Sequence, residues 1–461
     1  MAELGRSTLS VNEDGRICDR LAGLENVIAP ELIRQVLVET GRVNERACPL
    51  THEVMMWVVL AMGLLTHIPI RQVFKHARRL RAGEDTPCRS SLCQARQRLG
   101  VEPLRALHAR VVRPLATSDS AGAFYKGFRW MAIDGTLLDV PDSEANAVFG
   151  RPSGGRGPGA FPQVRKVSLV ELGTHVEVAV AVGGCHDSEQ ALARQLWDRI
   201  PTDAILTEDR GFFSYEDWKA LDSAEKTLLF RLKNNLVLKP IRHLSDASYL
   251  AKIYPSSYDR HKDRHGILVR IIDYTLDDPQ RTGHGVVHRL ITNLLDEIRY
   301  PARELILGYH ERWEHELVYD EQKTHQDPRR AEKPTHLRSE TPAGVLQELY
   351  ALSLGHFVVR ALMFAAAQPA NLDVDRLSFT GCLRILQCRL PECDSRSLLT
   401  LSQWNDALLY EMRQEQIEPR RNRINPRVIK RKMSKWPKKR PHHRRLEPLT
   451  KPFEDCIVMT I

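Results

Sequence analysis

Residues 309 to 323 read YHERWEHELVYDEQK, where an acid, two cations and a phenol recur at helical spacing. Pro301 stands ahead of this stretch with Glu304 in the first turn, and no Gly or Pro falls within 309 to 323. One continuous helix is therefore expected. At about 100° per residue, Tyr309, Arg312, Glu316 and Lys323 lie within roughly 60° of one another. Ile306, Trp313 and Leu317 form an apolar stripe beside them, which would seat the helix on a core. A carboxylate so placed can hold a divalent cation, and Arg, Lys and Tyr can hold phosphate oxygens. For a charge-rich helix taken alone, a solvated face with i,i+4 ion pairs is the competing account.

The spacing Tyr-x2-Arg-x3-Glu-x6-Lys resembles, at all four positions, the Tyr-Arg-Glu-Lys motif of DDE transposases of the insertion-sequence-four family. The resemblance makes Glu316 the third metal-binding carboxylate and requires two aspartates upstream, each at a strand end. Asp134, in Ala132-Ile133-Asp134-Gly135-Thr136, and Asp209, in Asp209-Arg210-Gly211-Phe212-Phe213, are similar to the family's first and second catalytic motifs. A single strand-end Asp commonly does no more than make a turn. The set of three carries the assignment. By resemblance, then, Asp134, Asp209 and Glu316 are the catalytic and metal-binding residues, and Tyr309, Arg312, Lys323 and Arg210 sit at DNA phosphates.

Three carboxylates suit phosphodiester chemistry. Two Mg2+ ions about 3.5–4 Å apart can both activate an attacking oxygen and stabilise a leaving one. Such ions accept hard oxygen ligands, water and substrate phosphate, so few protein ligands suffice. Asp134 is expected to bridge two Mg2+ ions, Mn2+ being a substitute, while Asp209 and Glu316 each hold one. The family implies that hydrolysis first frees a 3′-hydroxyl at the element end. That hydroxyl then attacks the opposite strand to form a hairpin, which is reopened before joining to target DNA. Family members with an insertion before the last catalytic helix use a Trp there to stack a flipped base. No Trp occurs here between Trp218 and Trp313, and Tyr249, Tyr254, Tyr258 and Tyr274 are the alternatives.

These residues need a scaffold. Phe128 to Asp134 reads as a strand ending at Asp134. VRKVSLVEL and HVEVAVAVG read as an antiparallel pair with a tight Gly173-Thr174 turn, and Ser188 starts a helix. Asp203 to Asp209 reads as a further strand, TLLFRLKN as another. Three strands, then helix, strand, helix, strand, a long interruption and the Glu316 helix give an α/β, ribonuclease-H-like order. The expected division is an N-terminal tail (1–26), a helical DNA-binding domain (27–120) and a catalytic core in two parts (121–234 and 301–372). A mostly β insertion (235–300) separates those parts, and a helical region (373–415) and a basic tail (416–461) follow. In the helical domain Thr51 can cap a helix through Leu65, and Ser90 and Ser91 start one ending at Gly100. A plain bundle with solvated arginines and a helix-turn-helix-like reader fit that pattern equally. Resemblance around Ala95-Arg96-x-Arg98-Leu99 favours DNA binding through Arg96 and Arg98. Leu337-Arg338-Ser339-x-Thr341-Pro342 resembles the family again.

The chain has 461 residues, formal net charge +9 and pI near 9.1, a balance suited to a polyanionic partner. Residues 420 to 445 are dense in Lys and Arg without any acid, and Lys430, Arg431 and Lys432 are candidates for DNA contact. The loop FGRPSGGRGPGAF lacks a Gly-Lys-Ser/Thr ending, so no nucleotide cofactor is expected. Its Arg151 and Arg156 fit either a loop near phosphate or an inert surface loop. No signal peptide is visible, and Val54 to Leu65 is too short to span a bilayer, so a cytoplasmic, nucleoid-associated protein is expected. Cys382, Cys388 and Cys393 have irregular gaps and no nearby His, which argues against zinc. The resemblance, and no pattern in the chain itself, implies as partners the element's terminal inverted repeats and target DNA, with a homodimer in a paired-end complex. An inactive DNA-binding descendant, or a structure-specific nuclease that cuts without joining, are the rival functions.

Overall fold

The computed structural model describes residues 18–44, 48–78, 85–154, 157–279, 284–328, 335–393, 400–418 and 451–460. Arg156, Lys430, Arg431 and Lys432 lie outside these residues. Along the chain, α1 (Pro30–Glu39), α2 (His52–Leu64), α3 (Ile70–Ala77), α4 (Arg89–Leu99) and α5 (Glu102–Val111) precede the short β1 (Phe124–Tyr125). Strand β2 (Phe128–Asp139) is followed by two-residue strands β3 (Ser153–Gly154) and β4 (Gly157–Pro158), then β5 (Gln163–Glu171) and β6 (Val176–Gly184). Next come α6 (Glu189–Arg194), β7 (Ala204–Glu208), α7 (Tyr215–Ser223) and β8 (Thr227–Arg231). The interruption holds β9 (Arg242–His243), β10 (Tyr249–Ile253), α8 (Ser257–Lys262), β11 (Ile267–Leu276) and β12 (His288–Thr292). Helices α9 (Ala302–His310), α10 (Glu314–Asp320), α11 (Pro342–Ala367), α12 (Phe379–Arg389) and α13 (Leu401–Gln414) follow, and β13 (Ile457–Met459) comes last. The fold is α/β with a ribonuclease-H-like core, as expected.

These elements group into two compact units, and β2 contributes to both. The first comprises Met1–Phe124, Ile133–Arg199 and Glu314–Ile417. Its sheet runs β6-β5-β2, with β5 and β6 antiparallel. Its core is built around α11, which is buried along most of its length. By length and composition α11 could cross a membrane, but 78% of its most apolar window is buried inside the protein. Helix α2 explains why. Every residue from Val54 to Leu64 is buried, so α2 has no solvent face and must be covered on all sides. The Thr51 hydroxyl accepts from Val54 N–H at 3.2 Å, the expected cap. Helices α2 and α11 meet at Gly63, where an added Cβ would lie 1.9 Å from the Ala351 carbonyl oxygen. Helix α4 is capped by Cys88 instead of by a serine, its Sγ accepting from Ser91 N–H at 3.4 Å. The helix ends at Gly100, whose φ of +74° favours glycine.

The second unit comprises Tyr125–Ala132, Ile200–Trp313 and Glu418–Ile461. Its sheet runs β2-β7-β8-β12-β11-β10-β9. Strands β7 and β8 are parallel, joined through α7, whereas β12, β11 and β10 add on antiparallel. The β-rich interruption therefore extends the sheet of this unit directly from β8. Buried Trp218 of α7 meets Phe230 of β8 edge-on at 5.4 Å. Strand β13 pairs with β11, an addition to the sheet that the sequence reading did not anticipate.

Candidate active site

In the first unit, Asp134 is half-buried on β2, and its Oδ1 accepts from Gly135 N–H at 2.8 Å. It does not end the strand, which continues to Asp139. Gly135 reads as a stop in the sequence, yet its bareness serves packing. A Cβ there would lie 2.8 Å from Glu189 Oε1. Glu189 is held by Arg165 at 2.5 Å, so one more acid borders the Asp134 strand. Glu316 is exposed on α10. One turn further on, Tyr319 is buried and donates to the Asp134 carbonyl oxygen at 2.7 Å, with the Ser168 hydroxyl also 2.7 Å away. Burial pushes the Tyr319 hydroxyl well above its usual range, so it stays a donor. Lys323 donates to Leu137 O at 3.0 Å and to the Thr136 hydroxyl. The Glu316 helix is thus tied to the Asp134 strand at both Tyr319 and Lys323.

The helix that carries these groups is not uniform. Its turns tighten to a 3₁₀ turn at Glu311–Trp313 and widen to a π turn at Glu321–Gln326. Such irregularities cost hydrogen-bond geometry and cluster at functional positions. In the first unit the reason is a buried charged network. The Glu314 carboxylate lies 2.6 Å from His175 Nε2. Glu321 receives Arg360 Nε at 3.0 Å and meets His356 Nε2 at 2.9 Å. Burial alone would raise the Glu321 carboxyl, but Arg360 and His175 hold it well below the usual range. Lys166, Gln322 and Glu177 form a second buried set, with Gln322 donating to Glu177 at 3.1 Å. Ligand atoms of His175, Glu314 and Asp375 lie within 4.8 Å of one another, a spacing open to a metal ion. Arg360 already supplies a cation against His175 and Glu321, which fits an ion-pair network.

In the second unit, Asp209 follows β7 directly and is half-buried. Its Oδ1 is shielded from solvent and accepts no hydrogen bond from the described residues. Tyr309 is buried and donates to the Glu208 carbonyl oxygen at 3.2 Å. Burial raises its hydroxyl, with Asp209 adding to the rise and Arg312 and Arg231 opposing it, so these groups share one neighbourhood. The Arg312 guanidinium lies 5.9 Å from the Tyr309 ring centroid and is itself buried. Gly308 lets α9 approach β2, since a Cβ there would lie 2.0 Å from the Trp130 ring. The expected apolar stripe is only partly present. Ile306 is buried, whereas Trp313 is 54% exposed. Trp313 belongs to the 3₁₀ turn, whose changed phase rotates it off the α-helical stripe.

Residues 19–109 match the insertion element 4 transposase N-terminal family, and residues 126–349 match the transposase DDE domain. The chain is 28% identical to the transposase InsG of insertion sequence element IS4 from Escherichia coli K12 over 451 residues, covering 94% of this chain and 97% of that one. This chain belongs to the IS4 family of DDE transposases. It is a DNA transposase enzyme, and the DDE domain implies the use of a divalent metal. A piggyBac transposase in a synaptic complex with hairpin DNA is a distant structural likeness, at 10% identity and a TM-score of 0.41 over 86% of each chain.

The Asp209 carboxylate suits a hard cation, because its shielded oxygen, which accepts no hydrogen bond from the described residues, is costly to bury unless a cation meets it. The other candidates are placed as follows. Arg210 is exposed beside Asp209. Arg98 is exposed on α4, but Arg96 is committed within the first unit, donating to Gln347 at 2.8 Å and Gly344 O at 2.6 Å. Arg151 donates to Ala160 O at 2.5 Å and Gly159 O at 3.1 Å, so its guanidinium braces its own loop. Among the four tyrosines, Tyr249 and Tyr274 are buried and Tyr254 donates to Asp263 at 2.7 Å, whereas Tyr258 is 61% exposed. Glu189 and Tyr319 escaped the sequence reading. Tyr319 had one available signal, its position three residues after Glu316 on the same helix.

Proposed function

We propose that this transposase excises and inserts an insertion sequence through Asp134, Asp209 and Glu316. These three residues would hold two Mg2+ ions, with Mn2+ as a substitute. The observation that carries the reading is the shielded Oδ1 of Asp209, which accepts no hydrogen bond from the described residues and lies within the stretch 126–349 that matches the transposase DDE domain. Bound metal would activate the attacking oxygen and stabilise the leaving one. Arg312, Tyr309, Lys323 and Arg210 act on the DNA, holding phosphate oxygens near the scissile bond.

The sequence of reactions proposed is hydrolysis followed by transesterification. Water attacks the scissile phosphorus, the bond to the 3′-oxygen breaks, and that oxygen takes up a proton. The freed 3′-hydroxyl loses its proton as it attacks the opposite strand, closing a hairpin and releasing the flanking DNA. A second water reopens the hairpin, and the 3′-hydroxyl then attacks target DNA. Tyr258, exposed in the interruption, is the tyrosine suited to stacking a displaced base. Residues 27–120 recognise element ends with Arg98 outward, and two copies work in a paired-end complex in the cytoplasm, at the nucleoid.

The test uses element-end DNA, Mg2+ and the Ala variants of Asp134, Asp209 and Glu316. Each variant should lose strand cleavage and keep DNA binding. A variant that still cuts removes its residue from the site. Binding without cleavage by the unaltered chain would establish an inactive descendant, and cleavage without joining a nuclease.

A further inference from the structure

Residues 451–460 return to the second unit after the basic stretch and make two separate contacts there. Strand β13 pairs with β11 in the register Tyr274↔Met459, Thr275↔Val458 and Leu276↔Ile457. The pairing is extended on both sides, by Asp277 N–H to Cys456 O at 2.8 Å and Thr460 N–H to Asp273 O at 3.0 Å. Cys456 and Ile457 are buried, so the segment is packed as well as hydrogen-bonded. Ahead of the strand, the Phe453 ring stacks on His310, with centroids 3.7 Å apart and planes 9° apart. Arg303 of α9 donates to the Glu454 carbonyl oxygen at 2.5 Å.

Both contacts lead to Tyr309. His310 is its neighbour in sequence and ends α9, immediately before the 3₁₀ turn that carries Arg312. On the other arm, Tyr274 of β11 stacks on His288 at 5.1 Å, and His288 Nδ1 lies 2.9 Å from Arg231 Nη2. Tyr274 and Arg231 are among the groups that set the environment of the Tyr309 hydroxyl. The segment therefore braces the neighbours of Tyr309 from the helix side and the strand side. A 3₁₀ turn has poorer hydrogen bonds than an α-helical one, so its position depends on such outside contacts.

We propose that Phe453 is a positioning residue, which fixes the end of α9 and so the placement of Tyr309 and Arg312. This rests on the reading of those two residues as phosphate-holding groups. Phe453 is only half-buried, so its replacement leaves the fold standing. The ring stack is the contact that Phe453→Ala removes and Phe453→Tyr keeps.

Two measurements on the full chain separate the proposal from the reading beneath it. Amide hydrogen exchange over residues 302–313 reports positioning directly. It should quicken at least tenfold in Phe453→Ala and match the unaltered chain in Phe453→Tyr. Unchanged exchange in Phe453→Ala overturns the proposal, as does equal quickening in Phe453→Tyr. Cleavage of element-end DNA reports the use made of that positioning. Phe453→Ala should lower kcat about tenfold with KM for DNA within twofold, and Phe453→Tyr should restore it. If exchange quickens as expected but Arg312→Ala cuts like the unaltered chain, the positioning stands and the phosphate-holding reading falls.

Discussion

Replacing Arg360 with Met should cost the first unit several kcal/mol of stability without removing any group that meets DNA. Arg360 is 0% exposed and Glu321 3% exposed, and the guanidinium reaches both carboxylate oxygens of Glu321, one of them at 3.0 Å. Met fills much of the same volume, so the loss is electrostatic more than steric. Removing Arg360 leaves the Glu321 carboxylate only the His175 and His356 rings, and breaking such a buried pair costs about 3–5 kcal/mol. Replacing both partners at once costs far less, because no stranded charge remains. The double variant Arg360→Met/Glu321→Gln should therefore recover more than about 2 kcal/mol of the single loss. The assay is urea unfolding followed by a probe in the first unit, with the m-value checked for constancy across variants. A loss under about 1 kcal/mol in the single variant, or strict additivity in the double, would refute the argument that this network holds the π turn.

Other outcomes follow from the same geometry. Gly63→Ala should cost about 1–3 kcal/mol of stability, read as a lower urea midpoint at constant m-value, since its Cβ would fall 1.9 Å from Ala351 O at the α2–α11 crossing; an unchanged midpoint contradicts that crossing. Tyr319→Phe strands the Asp134 carbonyl and the Ser168 hydroxyl, for about 1–3 kcal/mol by urea titration. It should also slow cleavage without changing the Kd for DNA. His108 is buried against Ser353, and burial lowers its pKa from 6.5 to about 4. The folded state thus binds fewer protons than the unfolded one between those values, so stability is full above pH 6.5 and falls as pH drops toward 4. That amounts to about 2 kcal/mol between pH 7 and pH 5. In His108→Gln the pH slope should flatten by that amount, and a slope equal to the unaltered chain's would exclude the histidine.

Much of the framework was legible because local signals carried it. The short Ala204-Ile205-Leu206 run ahead of Asp209-Arg210-Gly211 marked β7, and two strand-like runs across a short turn marked β5 and β6. The run past Asp134 was missed because Gly135 normally punctuates a strand, and nothing local announces that Glu189 needs the space. The Tyr309–Lys323 stretch was read as one regular helix with an apolar face. Its buried face instead holds Arg312, His315, Glu321 and Gln322, and Trp313 points outward. Partners such as His175, Lys166 and Arg360 lie far away in sequence, so periodicity cannot see why charged residues should be inside. The role of residues 451–460 was hidden for a like reason. A three-residue strand has no pattern of its own, and only the edge of β11 gives it one.

The interdependence of α2 and α11 bears on what happens to incomplete chains. Helix α2 is made early in synthesis and α11 some three hundred residues later, yet α2 is apolar all round and buried along its length. A product that stops short of Pro342 leaves that surface uncovered, as the kind of large apolar patch that chaperones and proteases recognise. Nonsense or frameshift products would then be cleared before they could compete for element ends. Quality control of the polypeptide would in this way favour complete enzyme over interfering fragments.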